Sequence, residues 1–243
     1  MEGKGFRRLI VPMLIVIGVL VIVVIALLGR GSGGTVAPSR SPSRATISQS
    51  ASPTTSPVAS SSAVDPNVAT RGWVPEPITQ DPDVYVRAAL EAAATFDTRH
   101  ATRDQWVAWL GTWFTPSPLY DHAQDALDQM AGYKAELNQT VLIPQSQWDD
   151  LAKNDGRVSG RVDGQIVYSD QADATLKHVR TATANVLTTF TQAGDSAAGD
   201  ASYEQTVRVS VQVVCGGESV PTSGSAQRAG DCKVVRFFDT AVG

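Results

Sequence analysis

An unbroken run of twenty uncharged residues, Leu9 to Leu28, lies near the start of this 243-residue chain. At 1.5 Å per helical residue, a run of this length crosses a hydrocarbon core of roughly 30 Å. Pro12 falls in the first turns, where a missing N–H matters least. The run therefore predicts a transmembrane helix. A cleaved signal peptide is the alternative, but its apolar core is usually about 7–15 residues and ends in small residues, unlike Leu27-Leu28-Gly29-Arg30.

The orientation of this helix is not decided by the flanking charges. The basic residues nearest to it are Lys4, Arg7, Arg8, Arg30, Arg40 and Arg44, three on each side. Large C-terminal domains are translocated largely regardless of charge, and the N-terminal tail is short and basic. We therefore expect residues 1–8 to be a cytoplasmic tail and the remainder to lie outside a cell membrane that the chain crosses once.

Residues 29–80 are rich in Ser, Thr, Pro, Ala and Gly, with very few large apolar side chains. Such a composition cannot bury enough surface to offset the entropy of ordering the chain. The segment is predicted to be a disordered linker that spans about 40 Å as a coil and up to about 160 Å when extended. A simple spacer and a stalk through a cell wall both fit this composition.

The charge is divided between the two parts of the chain. The formal charge is +4 for residues 1–80 and −8 for residues 81–243, in agreement with the net −4 of the whole chain. Because affinity for nucleic acid depends largely on neutralising phosphates, an acidic domain argues against direct contact with nucleic acid. Residues 81–243 have a suitable length for one compact domain.

The first half of this domain has helical periodicity. Asp81 and Pro82 are typical of an N-cap and a first helical position, and apolar residues then recur at helical spacing as far as Phe96. A second helix is predicted from Thr102, where a glutamine three residues later completes a capping box, until Thr115-Pro116 ends it. Its apolar residues are Trp106, Trp109, Leu110, Trp113 and Phe114.

Two further helices are predicted. Ser117-Pro118 indicates the start of a third helix, which ends near Gly132 or a little later. A short fourth helix is expected from Gln145 to Lys153, with Ser146 as a candidate cap.

The second half of the domain changes to the period of two that is typical of strands. The predicted strands are Arg157–Tyr168, Leu176–Thr191, Tyr203–Cys215 and Cys232–Ala241. In the third of these, alternate residues from Val207 to Cys215 share one face. The loops between the strands are rich in turn formers, which favours antiparallel hairpins. Helices followed by a curved antiparallel sheet predict an α+β domain.

The only two cysteines, Cys215 and Cys232, lie at the facing ends of the last two predicted strands. We interpret them as a structural disulfide, which at this spacing stabilises by roughly 3 kcal/mol in the chain-entropy model. Two free thiols or a metal pair are the alternatives. Two ligands without a nearby histidine or further cysteine do not make a zinc site. A disulfide agrees with a domain outside the cytoplasm.

The sequence contains few residues arranged for catalysis. His100, His122 and His178 form no metal-binding pair, and each is interpreted as a surface or cap residue. Gly194-Asp195-Ser196 superficially resembles the nucleophile segment of serine proteases. It falls in a polar turn, however, and Ala197-Ala198 follows where a glycine would shape an oxyanion hole.

One acidic group is a candidate cation site. Asp121, Asp125 and Asp128 fall on one helical face, next to His122. A helix alone lacks the converging ligands that calcium requires, so a solvated acidic stripe is favoured. The sequence has neither a phosphate-binding G-x-x-x-x-G-K-[ST] loop nor a dinucleotide fingerprint. No catalytic residue, metal ligand or cofactor is predicted.

The order of these features resembles a known family. The chain begins with an anchor, a polar tether and an alanine-rich helix. These are followed by a second helix, which contains Trp106, Leu110 and Trp113 and ends at Thr115-Pro116, and then by a curved antiparallel sheet. This order is similar to that of the membrane-anchored NTF2-like domains of bacterial conjugation machinery, of the VirB8 and TcpC type, in Gram-positive actinobacteria. The resemblance covers residues 81–241 and the anchor.

The resemblance implies a non-enzymatic scaffold that forms homo-oligomers and contacts other proteins of a type IV secretion complex. Other anchored NTF2-like proteins, including those associated with Mce lipid transport, are an alternative. A second hypothesis is a ligand-binding or enzymatic pocket, with Tyr120, Tyr133, Asp163 and His178 as candidate polar groups. A cavity with converging titratable groups would favour the second hypothesis, and a cavity filled by aromatic side chains would exclude it.

Overall fold

The computed structural model describes residues 63–169, 178–194 and 199–242. The predicted tail 1–8, the apolar run 9–28 and most of the predicted linker lie outside these ranges. Among the described residues, no helix combines the length and hydrophobicity needed to cross a membrane. The predicted transmembrane helix therefore stays a prediction.

The helices precede the long strands, as the sequence predicts. The α-helices of the described chain are α1 (Pro82–Ala92), α2 (Arg103–Leu110), α3 (Ala123–Glu136) and α4 (Gln145–Ala152). Short 3-10 helices occupy Pro66–Arg71 and Gly111–Trp113, and a π-helical turn, Leu137–Val141, extends α3.

The predicted start signals of the first two helices are confirmed. The Asp81 side chain accepts a hydrogen bond from the backbone N–H of Asp83 at 2.9 Å, and Pro82 is the first residue of α1. Thr102 and Gln105 form the reciprocal capping box of α2. α1 ends at Ala92, earlier than predicted, because the chain turns there toward a short strand.

The predicted start of the third helix is wrong. Ser117 is buried and its Oγ accepts from the backbone N–H of Leu119 at 3.3 Å, so it closes a local turn. α3 begins later, at Ala123, and ends at Glu136, a little after Gly132 as predicted. Ser146 does not cap α4, because the N-cap position belongs to Pro144.

The strands form one curled antiparallel sheet with the order β1-β2-β3-β4-β5. They are β1 (Phe96–Asp97), β2 (Arg157–Ser169), β3 (Val179–Gln192), β4 (Ala201–Val214) and β5 (Lys233–Phe238). The four long strands occur where the sequence predicts them, except that Leu176 lies outside the described residues. This arrangement confirms the α+β class. β1 was not predicted, since two residues are too few to show a period.

The face of the sheet that carries α1 is called the helix-facing face, and the opposite face is called the second face. In the register of β3 with β4, Ala182 is opposite Val211 and Val186 is opposite Val207, which places these apolar residues on one face. α1 packs against β2, β3 and β4 on this side. Val207, Val209, Val211 and Val213 share this face, as predicted, but burial does not alternate along β4, which is exposed at its outer end and buried on both faces at its inner end.

The centre of the core is aromatic. Phe96 stacks on Trp148 with ring centroids 4.5 Å apart, and Trp106 lies 5.7 Å from Trp148. β1, α2 and α4 each contribute one of these side chains. The tryptophans predicted as the main apolar content of α2 therefore join helices that are distant in sequence.

The folded domain begins before residue 80, where the predicted linker ends. The backbone N–H of Val64 donates to the carbonyl of Glu76 at 2.9 Å, and the buried Trp73 stacks on Trp109 at 4.9 Å. Gly72 has a left-handed φ of 74°, and a Cβ there would lie 2.8 Å from the Asp97 Cβ. Composition alone does not show this segment, because its few anchoring residues are surrounded by small and polar ones.

Candidate functional site

An apolar cavity of about 220 Å³ opens on the helix-facing face and is called the cleft. It lies between the end of α1, the segment that joins α3 to α4, and the outer parts of β2, β3 and β4. Its lining residues are Leu90, Ala93, Ala94, Phe96, Val141, Ile143, Gln147, Val158, Val186, Thr188, Phe190, Gln205, Val207 and Val209.

The cleft exists because β3 and β4 extend past the helices that cover the rest of the sheet. Ala201–Arg208 is exposed along its whole length. Val207 is 41% exposed although it points to the apolar side of the sheet. On the opposite wall, Ala94 approaches Gly160 so closely that a Cβ on that glycine would collide with it. One side of the cleft is therefore tightly packed and the other is open.

The chemistry of the cleft wall is that of a binding surface. Within the described chain, its polar lining residues are Gln147, Thr188 and Gln205, and no ionisable side chain lines it. Amides and a hydroxyl can orient a guest through hydrogen bonds. Proton transfer in the cleft would need a titratable group that this wall does not supply. The aromatic side chains of the core border the cleft without filling it.

A buried polar cluster lies elsewhere in the domain and consists of Glu76, Tyr85, Thr222, Gln227 and Lys233. Lys233 Nζ lies 2.7 Å from Glu76 Oε1 and donates to Thr222 Oγ1 at 2.7 Å. The Tyr85 hydroxyl and the Gln227 amide donate to the same Glu76 oxygen at 2.7 and 3.2 Å. The side chains of Lys233 and Glu76 are only 1% and 2% exposed.

Burial dominates the electrostatics of this cluster. Burial raises the pKa of Tyr85, and the neighbouring Glu76 carboxylate raises it further. Burial lowers the pKa of Lys233, while Glu76 acts in the opposite direction. None of these residues lines the cleft. The cluster joins the N-terminal segment, α1, the β4–β5 loop and β5, so we interpret it as structural.

The sequence pattern does not reveal this cluster. Glu76 and Lys233 are 157 residues apart, and no local motif connects them. The available signal is Trp73, a large aromatic residue followed closely by an acid within a polar stretch. Such a residue indicates an anchor that packs on a folded domain.

Cys215 and Cys232 form the predicted disulfide, with Cα atoms 4.0 Å apart. It closes the loop between β4 and β5 and lies next to Lys233 in sequence. The backbone N–H of Cys232 also donates to the carbonyl of Thr79 at 2.7 Å. The disulfide and the buried polar cluster therefore stabilise the same region, and neither cysteine lines the cleft.

The three histidines lie on separate elements and do not converge. His100 is about half exposed, with Nε2 3.7 Å from an Asp97 carboxylate oxygen. His122 occupies the N-cap position of α3 without a side-chain capping bond, and His178 is exposed just before β3. Their predicted positions on the surface or at a helix end are confirmed.

The acidic residues near His122 also face solvent. Asp121, Asp125 and Asp128 are exposed, as a solvated stripe requires. In the part of the chain that the structure describes, no group of three histidine, cysteine, aspartate or glutamate side chains is placed to hold a metal ion. Asp195 and Ser196 lie outside the described residues.

The remaining polar candidates do not line the cleft. Tyr133 packs against the second face of the sheet, where the guanidinium of Arg236 lies 4.9 Å from its ring. Asp163 is 59% exposed and lies 3.8 Å from Arg161. Tyr120 is half-buried at the turn before α3. Among the described residues, none of these side chains, nor His178, lines the cleft.

Comparison with known proteins finds no matching family model and no matching curated protein. Among solved structures, the chain is similar to an IcmL-like type IV secretion system protein from Legionella pneumophila subsp. pneumophila str. Philadelphia 1. The sequences are 16% identical, the TM-score is 0.41, and the alignment covers 66% of this chain and 91% of the other. A likeness of this degree assigns no function, so the functional argument rests on the sequence and the geometry of the domain.

Proposed function

We propose that this chain is a non-enzymatic, membrane-anchored assembly component of a cell-envelope complex, of the type IV secretion or conjugation kind, with an NTF2-like domain outside the membrane. The observation that carries this proposal is the cleft. It is an apolar surface left open at one end of an otherwise well-packed domain, and its wall offers hydrogen bonds but no ionisable group.

An apolar segment of another protein is a suitable occupant. Removing apolar surface from water stabilises by roughly 25 cal/mol per Å², so an open apolar wall gains free energy when it is covered. The exposed Tyr203 lies beside the cleft, on the same face of β4 as the lining residue Val207. They extend the contact area beyond the cavity itself.

The membrane anchor and the extracytoplasmic location rest on other observations. The apolar run 9–28 has the length of a transmembrane helix. The disulfide Cys215–Cys232 supports an oxidising compartment, because disulfides seldom persist in the cytosol. Together they support an attachment at residues 9–28 with the domain on the outer side.

Affinity purification of the tagged full chain from gently solubilised membranes tests this proposal. We expect transfer-complex proteins to co-purify with the wild-type chain and to be lost with Ile143→Glu, which places a charge in the cleft wall. Asn185→Glu is the matched control, since Asn185 is exposed on the second face of the sheet. Purification without transfer-complex proteins, or equal loss in both variants, would contradict the proposal.

A ligand-binding accessory protein, of the kind associated with lipid transport, is the second candidate. The apolar lining of the cleft favours it, because sites for small molecules are lined mainly by apolar side chains with a few polar groups. Native mass spectrometry of the purified full chain, followed by organic extraction, distinguishes the two. A stoichiometric lipid that is absent from Ile143→Glu supports the second candidate.

A further inference from the structure

The outer edges of β2 and β4 differ in whether their backbone N–H and C=O groups have hydrogen-bond partners. Along the outer edge of β2, the backbone N–H of Gly160 donates to Thr95 Oγ1 at 2.9 Å. The N–H of Val162 donates to Glu91 Oε1 at 3.0 Å, and the Arg87 guanidinium donates to the Val162 carbonyl at 3.3 Å. Side chains from α1 and the turn after it therefore occupy the outer backbone groups of Gly160 and Val162, so this part of the edge cannot pair with another strand.

The outer edge of β4 is open. Along β4, β5 pairs with Ser210–Val214 and no farther, so within the described chain Ala201–Val209 pairs with a strand on its β3 side alone. This stretch contains no proline, no lysine and no bulge, which are among the devices that protect an exposed edge, and its charged residues are Glu204 and Arg208. An unprotected edge of nine residues recruits another strand through backbone hydrogen bonds.

We propose that Ala201–Val209 pairs antiparallel with the same stretch of a second copy of this chain, about a twofold axis at Gln205. Residues directly opposite each other in an antiparallel pair point to the same face. With Gln205 at the axis, Ala201 is opposite Val209 of the second copy, and all nine residues of the open edge are used.

The neighbouring registers fit less well. If the axis passed through Thr206, Ser202 would be opposite Ser210 of the second copy, a position that Phe238 of that copy already occupies. If the axis passed through Glu204, Arg208 and Val209 would have no strand residue opposite them. The length of the open edge therefore selects Gln205 as the centre.

The side chains are self-complementary in this register. On the helix-facing face, Tyr203 is opposite Val207 of the second copy, and these two side chains are 54% and 41% exposed in the single chain. On the second face, Glu204 lies diagonally across from Arg208 of the second copy, at a spacing of about 7–8 Å that long charged side chains can bridge. No two like charges are directly opposite.

This inference deepens the proposed assembly role, on which it rests, by naming a second copy as one of the partners. The cleft lies beside the paired edge and is lined by only three residues of the open edge. A twofold pair would place two clefts on the same side of a continuous ten-stranded sheet. The dimer would then present two equivalent clefts to the other proteins of the complex.

Cross-linking of Gln205→Cys in the full chain tests the register. At the axis, opposing Cβ atoms are about 4.5–5.5 Å apart, close enough for a disulfide after a small adjustment. The native cysteines are paired, so the introduced thiol is the only free one. Arg161→Cys is the matched control, because it is exposed on the protected β2 edge.

Under mild oxidation we expect Gln205→Cys to form a covalent dimer, at least about tenfold faster than Arg161→Cys. Equal rates in the two variants, or no dimer from Gln205→Cys, would overturn the proposal. Since both variants carry the same residues 9–28, any association through that segment affects them equally.

Gln205→Lys provides a second, non-covalent measurement. It places two like charges directly opposite each other at the axis, which destabilises a strand pair. Sedimentation of the full chain in mild detergent should show a dimer for the wild type and for Asn185→Lys, and a monomer for Gln205→Lys that still melts in one cooperative transition. A monomeric wild type or a dimeric Gln205→Lys would contradict self-pairing.

The outcomes separate this inference from the proposed function. If cross-linking fails while transfer-complex proteins still co-purify, only the self-pairing is wrong. If the covalent dimer forms but no such protein co-purifies, self-pairing stands and the proposed function fails.

Discussion

At the scale of single residues, the salt bridge of the buried polar cluster determines stability. Lys233→Met leaves the buried Glu76 side chain without its cationic partner. We expect the free energy of unfolding to fall by about 3–5 kcal/mol in urea titrations. The double variant Glu76→Gln/Lys233→Met should regain part of this loss, because it removes the unpaired charge.

An exposed lysine provides the control for this measurement. Lys153 pairs with Asp150 on the surface, with both side chains at least 70% exposed. Lys153→Met should leave the urea midpoint unchanged, because surface ion pairs contribute little. If Lys233→Met unfolds at the same urea concentration as Lys153→Met, the buried pair does not have the role inferred for it.

Asp97 should contribute to the acid sensitivity of the domain. Burial acts to raise its pKa, but the hydrogen bonds from the Arg99 backbone and guanidinium, both at 2.9 Å, and the Arg99 charge lower it overall. A carboxyl whose pKa is lower in the folded state stabilises above its unfolded pKa and loses this effect as pH falls through its folded pKa. Stability should therefore decrease below about pH 4.

Asp97→Asn tests that dependence. Since the variant has no carboxyl to protonate, its free energy of unfolding should change less steeply than that of the wild type below about pH 4. Urea titrations at several pH values measure the slope, and Asp150→Asn is an exposed control. Superimposable slopes for Asp97→Asn and the wild type would show that Asp97 does not contribute.

At the scale of helices and strands, the edge of β2 depends on α1. Glu91→Ala removes the acceptor for the backbone N–H of Val162 and should lower the free energy of unfolding by about 1–3 kcal/mol. Glu91→Gln keeps a carbonyl oxygen at the same place and should retain most of the stability. Hydrogen exchange of the Val162 amide locates the effect, and an unchanged rate in Glu91→Ala would contradict it.

The helices and strands that the sequence predicts are those with a local physical signal. Asp81 and Thr102 cap helices through side chains that need only their own neighbours in sequence, and the alternation of β4 needs only its own residues. Ser117 has the same residue type as a cap, yet tertiary burial makes it close a turn. β1 exists only because β2 provides its partner. The cleft depends on how far β3 and β4 extend past the helices, which no local pattern contains.

At the scale of the whole molecule, the domain boundary decides whether the fold is complete. A chain shortened to residues 81–243 lacks Glu76 and Trp73, which leaves Lys233 without its carboxylate and Trp109 without its stacking partner. We expect residues 63–243 to unfold cooperatively and residues 81–243 to melt at a clearly lower temperature or without a transition. Circular dichroism melts compare them, and equal melting temperatures would place the boundary at residue 80.

The attachment of the N-terminal segment also has a mechanical consequence. Tension applied to the chain before Ala63 first acts on the backbone hydrogen bond from Val64 to Glu76. It then acts on the salt bridge between Glu76 and Lys233 and on the backbone hydrogen bond from Cys232 to Thr79. Because Cys232 is covalently joined to β4, this load reaches two strands at once. In single-molecule pulling from the N-terminal side, reduction of the disulfide should lower the unfolding force. Such a domain resists unfolding when force is applied to its N-terminal segment.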